Sequence, residues 1–407
     1  MDMAFVEKSG KGSWRVRYWS QDGVHATISG FGTKAEAQAK AHEIDADKRR
    51  GTFLDPAAGK LTLAEWSATW FDALDVGPAT ESQYRSLVRT HILTRWGSTA
   101  IAEISGTAAN VWAGKLRTRL AASTVTTIMK LLSMMLADAA EERLIPANPI
   151  RVQRRGRRRH TPRREALWAT PEQAVRIALQ ASALVGGWAS VLLITAAWTG
   201  ARWGELTGLQ RSNLHLGETP RLVVDREHGA LHEVDGRLYL GPPKTADSAR
   251  TVTLPPFLVE LLRHHLSTHD HPHVFVTAEG ELLRRSNFAR RAMRPATDGT
   301  AHRVRPRCRT QPVVEGLVFH GLRHSHKTWL IADNIPVVAQ ARRLGHTLPD
   351  KIEEIYSHVA PEIDARLLAG LQTRWTAALA QLGLEHQPAT MRTTTNLYPV
   401  TTLAVPA

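Results

Sequence analysis

In the stretch HGLRHSHKTWLIADNIPVVAQARRLGHTLPDKIEEIYSHV, residues 320–359, a few side chains stand at spacings that suit one small anion. His320 and Arg323 are three apart, so on a helix they share a face. A planar guanidinium can grip two oxygens of a single phosphate, and an imidazole exchanges a proton near neutral pH. Gly345 fits the left-handed position that ends a helix. Thr347 and Pro349 read as the start of another helix, which places Tyr356 about two turns in. His346 and Tyr356 would then face each other across a short connection.

Two further residues lie upstream. In TGARWGELTGL, Arg202 follows an uncharged apolar run, and burying a guanidinium without an anion is costly. Glu205, three residues on, is placed to hold its orientation. In GPPKTADSARTVTLP, Lys244 is expected at the tip of a strand pair, where a flexible ammonium could swing over a substrate. Taken singly, each residue also has a plain reading. His-x-x-Arg occurs on ordinary surfaces, Tyr356 could be a packed core tyrosine, and Lys244 could be an exposed turn lysine.

The elements that must position these residues can be read from periodicity. Residues 1–60 look like a small α+β unit: SWRVRYWSQDGVHATIS alternates at a period of two, with a hairpin turn at Asp22-Gly23. Thr33 and Glu36 form a capping signature for a helix ended by Gly51, and Pro56 marks a linker. Residues 61–150 carry apolar spacing of helical type after a second signature at Thr62 and Glu65, and predict a bundle of about four helices. A basic linker, 151–166, holds eight arginines between Arg151 and Arg164. It reads either as a solvated linker or as a strap that stays extended until phosphates arrive.

From 167 to 385 helical and strand-like patterns alternate. Thr170 to Gln173 opens a helix, and residues 221–255 predict a small antiparallel sheet with turns at Asp235-Gly236 and around Pro242-Pro243. Residues 386–407, which include Tyr398, have no periodicity and read as a flexible tail. The fold class expected is mainly α with small β-sheets, an α+β chain. ALVGGWASVLLITAAWTG, residues 183–200, is uncharged but barely long enough to span a membrane, and it reads as a buried helix.

Composition narrows the partners. Lys plus Arg outnumber Asp plus Glu by 52 to 38, for a net charge of +14 and a pI near 10.4. That excess favours nucleic acid over a membrane surface. Cys308 is the only cysteine, so neither an internal disulfide nor a cysteine-based zinc site can form. With an N-terminus lacking the apolar core of a signal peptide, this fits the reducing cytoplasm. His264, His265, His269, His271 and His273 cluster around Asp270, but they sit where a polar loop between helix and strand is expected. No metal and no cofactor are expected. Nine arginines between Arg284 and Arg309 are expected to contact a nucleic-acid backbone, giving affinity and register more than sequence choice.

Taken as an ordered set, Arg202, Lys244, His320-x-x-Arg323, Gly345-His346 and Tyr356 resemble the signature of the tyrosine recombinases, the phage integrase family. The resemblance is carried by TGARWGEL, PKTADSARTV, HGLRHSH, LGH and IYSHV between Thr199 and His358, and extends more loosely to the whole chain. It implies an arm-type DNA-binding domain at 1–60, a helical core-type DNA-binding domain at 61–150 and a catalytic domain at 167–385. It also implies that Tyr356 attacks a DNA phosphate and forms a 3′-phosphotyrosine, while Arg202 and Arg323 clamp the non-bridging oxygens. Lys244 would protonate the departing 5′-oxygen, His320 would accept a proton near the nucleophile, and His346 would hydrogen-bond the phosphate. A tyrosine is a poor nucleophile at its ordinary pKa of about 10, but neighbouring cations favour the phenolate. The covalent link keeps the phosphodiester's free energy, so rejoining needs neither ATP nor metal. His346 to Tyr356 spans ten residues, one more than the family's usual interval, an insertion the connecting loop would absorb.

The activity implied is integration and excision of a phage or mobile element by a homotetramer on double-stranded DNA, with host or phage DNA-bending and directionality proteins as possible accessories. Two alternatives stand beside it: a type IB topoisomerase-like enzyme that nicks and reseals, and a non-catalytic DNA-binding regulator descended from an integrase.

Overall fold

The structure, a computed structural model, describes residues 3–20, 23–55, 58–150, 165–306, 308–347 and 359–384. The arginine-rich stretch 151–164, the segment 348–358 with Tyr356, and the tail with Tyr398 lie outside the described residues. The chain divides into two units, residues 1–160 and 161–407.

The first unit has two separate apolar cores. One is built by strands β1 (Phe5–Gly10), β2 (Ser13–Trp19) and β3 (His25–Phe31), antiparallel in that order, with helix α1 (Lys34–Arg50). Its centre is Val16, Tyr18, Ala37, Ala41, Ile44 and Phe53. The expected capping box is present, Thr33 Oγ1 accepting from the Glu36 amide while the Glu36 carboxylate accepts from the Thr33 amide. The second core is helical: α2 (Leu63–Asp72), α3 (Pro78–Leu87), α4 (Leu93–Trp96), α5 (Gly106–Leu116) and α6 (Ala122–Glu141). Indole donors tie α2 to α6, from Trp66 to the Met135 carbonyl at 2.7 Å and from Trp70 to Asp138 at 2.6 Å.

The second unit packs around α8 (Gly187–Thr199), whose residues from Ala189 to Thr199 are all buried. The uncharged run is therefore core from residue 189 to 200, as its sequence suggested, but Ala183 is exposed and the run is not one helix. Gly186 breaks it, ending α7 (Pro171–Val185) before α8 begins. Among the described residues no helix is long and apolar enough to cross a membrane. Trp198 locks α8 in place: its ring meets Phe257, Trp329 and Trp375, and its N–H donates to the Leu371 carbonyl at 3.0 Å.

After α8 come the short helix α9 (Trp203–Thr207), strands β4 (Leu214–His215), β5 (Arg221–Val224), β6 (Ala230–Val234), β7 (Arg237–Gly241) and β8 (Arg250–Thr253), and helix α10 (Pro256–Leu266). The single sheet expected over residues 221–255 is in fact two. β5 pairs with β4 and β8, while β6 and β7 form a separate hairpin whose turn, Asp235-Gly236, has both residues at positive φ. Arg284, Arg285 and their neighbours form α11 (Arg285–Phe288) and α12 (Arg294–Asp298). The unit closes with α13 (Phe319–Ala332), α14 (Val337–Leu344) and α15 (Pro361–Gln381). The chain is thus mixed α+β, mainly helical with small sheets.

Candidate active site

The site is assembled at the C-terminal ends of α8 and α14, against α13. Gly200 caps α8 in the left-handed conformation, and a Cβ there would lie 2.6 Å from Leu344 Cδ2 and 2.9 Å from His326 Cδ2. Only a glycine lets these three helices approach so closely.

Arg202 is the N-cap residue of α9, and its side chain remains 23% exposed. Its Nη1 donates to Glu205 Oε1 at 2.7 Å and to Ser248 Oγ at 2.8 Å; its Nη2 donates to the Gly345 carbonyl at 3.2 Å. Glu205 therefore orients Arg202, as its spacing predicted. Burial alone would raise the Glu205 pKa, but the charge of Arg250 and hydrogen bonds from Arg250 and Arg202 outweigh it and hold the carboxyl below its usual range.

Arg323 points from the first turns of α13 into the protein. It is almost fully buried, with Nη1 on the Gly200 carbonyl at 2.7 Å and Nη2 shared between the Leu344 carbonyl and His346 Nε2, the latter at 2.8 Å. A guanidinium has only donors, so His346 Nε2 must accept and its proton sits on Nδ1, the one N–H left for a ligand. Burial first, then the charges of Arg202 and Arg250, push Arg323 down to about 9. His346 is pushed down to about 4 by desolvation, with Arg323, Lys327 and Arg202 adding to it. His320 lies on the open side of α13, its ring 4.9 Å from that of His324. Desolvation, then His324, Arg323, Arg202 and Arg285, push it to about 4 as well. Both imidazoles are neutral near pH 7; His320 can accept a proton, whereas the accepting nitrogen of His346 is already taken by Arg323.

Lys244 stands apart. It is exposed, and it lies not at a strand-pair tip but in the connection from β7 to β8, because those strands belong to different sheets. Its ammonium makes no bond among the described residues. The same connection reaches the site through Ser248, and its Asp247 accepts from Thr347 Oγ1 at 2.6 Å. The structure thus brings Arg202, Arg323 and His346 together, sets His320 beside them and leaves Lys244 at the rim. Tyr356 lies outside the described residues.

Three residues of the site had no role assigned from sequence. Arg250 is buried and bonds Glu205, the Ser248 carbonyl and the Arg343 carbonyl. Arg343 is fully enclosed, donating to His326 Nε2, the Thr253 carbonyl and the Trp198 carbonyl. His326 completes this contact through Nδ1 on the Ala197 carbonyl at 3.0 Å. The one available signal was arginine beside apolar residues in strand and helix patterns. In the histidine-rich stretch of residues 264–273 it is the backbone that is used, the carbonyls of Leu266, His269 and His271 enclosing the Arg211 guanidinium, while the His265 ring donates from Nε2 to the Val274 carbonyl at 2.8 Å. Among the described residues no group of three or more His, Cys, Asp or Glu is arranged to hold a metal ion.

Residues 169–362 match the phage integrase family, and this part of the chain belongs to that family of tyrosine recombinases. It is 26% identical over 380 residues to a prophage phiRv2 integrase of Mycobacterium tuberculosis, covering 89% of this chain and 93% of the relative. It is 28% identical over 301 residues to the integrase of Mycobacterium phage L5, covering 72% of this chain and 74% of that one. Its fold is similar to that of the Tn1549 transposon integrase, solved with transposon right end DNA, at a TM-score of 0.59 and 17% identity over 79% of this chain and 100% of the other. It is also similar to a lambda integrase tetramer bound to a Holliday junction, at a TM-score of 0.52 and 16% identity over 87% and 98% of the two chains.

Proposed function

We propose that this protein is a site-specific DNA recombinase that cleaves and rejoins duplex DNA through a 3′-phosphotyrosine, integrating and excising a phage or mobile element in the cytoplasm. The observation that carries this reading is the convergence of Arg202, Arg323 and His346 on one spot. There Arg323 is held by the Gly200 and Leu344 carbonyls, Arg202 by Glu205, Ser248 and the Gly345 carbonyl, and His346 by Arg323, and among the described residues Glu205 is the only carboxylate bonded to either guanidinium. Such a place suits a phosphodiester whose charge grows in the transition state.

In this reading Tyr356 Oη attacks the scissile phosphorus, and the bond from phosphorus to the 5′-oxygen breaks. The phenol proton passes to the neutral His320, and Lys244 protonates the leaving 5′-oxygen. Arg202 and Arg323 balance the phosphoryl charge, so no metal is needed for that task, and His346 Nδ1 donates to a non-bridging oxygen. Reversal with a different 5′-hydroxyl exchanges strands. Residues 1–60 bind arm sites, residues 61–150 and 167–385 hold the core site, and the basic residues of 151–166 and 284–309 contact phosphates. Four protomers act together on two duplexes, with DNA-bending and directionality proteins setting the outcome.

The test is covalent capture. A supercoiled plasmid carrying the DNA that flanks the coding sequence is incubated with protein in EDTA and quenched with detergent. An adduct with wild type that is absent with Tyr356→Phe supports the reading. An adduct that persists in the variant moves the nucleophile elsewhere, Tyr398 first. Tight binding with no adduct, even on a nicked suicide substrate, would favour a regulator. Relaxation without strand exchange between duplexes would favour a topoisomerase-like enzyme.

A further inference from the structure

Arg250 is sealed, its side chain 6% exposed, and its Nε, Nη1 and Nη2 are all taken up by protein acceptors. Yet it bonds two of the three residues that hold Arg202, and it bonds the helix end that supplies the third. Its Nη2 donates to Glu205 Oε2 at 2.9 Å, its Nη1 to the Ser248 carbonyl at 2.8 Å and its Nε to the Arg343 carbonyl at 2.7 Å. Ser248 and Glu205 are themselves the side-chain partners of Arg202. One carboxylate is thus shared by a cation facing the substrate and a cation facing the core. The last carbonyls of α14 are also divided among arginines in order: Arg343 to Arg250, Leu344 to Arg323 and Gly345 to Arg202. That is the negative end of the helix dipole, where cations are favoured.

We propose that Arg250 is a positioning residue for strand cleavage: it neutralises Glu205 from the buried side and fixes the end of α14, leaving Arg202 the charge and the angle to hold the scissile phosphate. The proposal rests on the recombinase reading above. Without the Arg250 charge, Glu205 has Arg202 as its sole cationic partner among the described residues and cancels it where the phosphate needs it. Arg250 therefore acts through the charge of Glu205, and removing that charge as well returns part of what was lost. A residue that merely filled space would show the opposite, because a second buried change adds damage.

The experiment uses the full chain and a nicked suicide duplex bearing the native core site, with single-turnover adduct formation at saturating protein as the readout. DNA affinity and thermal melting are measured in parallel. Arg250→Gln keeps donors without charge and is expected to slow cleavage by about tenfold to a hundredfold, the scale of a small misplacement of a catalytic group, with little change in affinity. Arg250→Lys keeps the charge and stays within a few-fold of wild type. Arg250→Gln with Glu205→Gln cleaves faster than Arg250→Gln alone. Equal rates for the Gln and Lys variants would overturn the proposal, as would a double variant slower than Arg250→Gln. If Arg250→Gln melts below the assay temperature, a folded Arg250→Lys as slow as an unfolded protein overturns it equally. No adduct with wild type, or one that survives Tyr356→Phe, would instead sink the recombinase or nucleophile reading beneath it.

Discussion

Gly345→Ala should disable the site with only a modest loss of stability. Gly345 ends α14 at φ 63° and ψ 56°, a left-handed conformation that costs an L-residue about 1–2 kcal/mol. An added Cβ would also meet backbone, the Asp247 carbonyl oxygen at 2.9 Å and Ser248 Cα at 3.0 Å, and the Arg250 side chain, Nη1 at 3.1 Å. The helix end and the Lys244-bearing connection must therefore part by a few tenths of an ångström. The Arg202 bond to the Gly345 carbonyl is already 3.2 Å long and has little slack. Strain of this size corresponds to a melting temperature lower by roughly 2–8 °C in a unit of this length. Cleavage should fall further, by about a hundredfold, because the guanidinium groups are aimed by the carbonyls that move. Adduct formation on the suicide duplex, read with DNA affinity and a melting curve, is the assay. Gly345→Asn separates the causes, since Asn tolerates the left-handed region but still carries the Cβ. A slow Asn variant assigns the loss to crowding, and a fast one assigns it to strain. Wild-type cleavage by Gly345→Ala would refute the claim that the end of α14 aims the arginines.

Other outcomes follow from the same contacts. Arg343→Met should cost on the order of 3 kcal/mol, seen as a lower denaturant midpoint, because it leaves His326 and the Trp198 and Thr253 carbonyls without their buried donor. A loss under about 1 kcal/mol would mean that water replaces the guanidinium. Stability should also fall as acid is added. His265, His320 and His346 are pushed down to about 4, so the unfolded chain, titrating near 6.5, binds protons that the folded one does not. The stabilisation is complete above about pH 6.5 and is lost towards pH 4, and a melting temperature flat from pH 7 to 5 would contradict it. Tyr18→Phe, which removes the buried hydroxyl bonded to Asp55 at 2.5 Å, should lower N-terminal stability by about 1 kcal/mol or more. Adduct formation on a core duplex lacking arm sites should be unchanged, and a parallel loss would argue against separate arm and core functions.

How much of this could be read from residue types depends on how local the governing interaction is. The capping boxes at Thr33, Thr62 and Thr170, the left-handed end at Gly345 and the pairing of Arg202 with Glu205 all act within one helical turn, and each was legible. The carbonyl row at the end of α14 was not. Backbone acceptors carry no residue identity, and the arginines that find them lie 93, 21 and 143 residues away. The split of residues 221–255 into two sheets was hidden for a related reason. Alternation marks strands, but the partner of β5 is decided by burial of Leu222 and Val252 against α8 and its neighbours. Lys244 was placed on the wrong feature as a direct result.

The site's charge makes a last claim that can be argued through. Among the described residues the one carboxylate bonded to Arg202 or Arg250 is Glu205, and Arg323 is bonded to none, so the excess positive charge joins desolvation in depressing His320 and His346 to about 4. A phosphodiester seated between Arg202 and Arg323 would cancel that excess, so the His320 imidazole should rise towards its ordinary range, while His346 stays neutral as long as its Nε2 accepts from Arg323. By linkage, DNA binding near pH 5.5 should then take up protons, and core-site affinity should increase as pH falls from 7 to 5. The free fold weakens over the same interval, so the two trends oppose each other and cannot share a cause in general acid unfolding. Calorimetric titration of a core duplex in buffers of different ionisation heat, at constant salt, reads the uptake as the slope of observed enthalpy on buffer heat. His320→Gln should reduce that slope, and His346→Gln should leave it in place. A slope that survives His320→Gln would mean the protons go elsewhere, and that this imidazole does not face the phosphate.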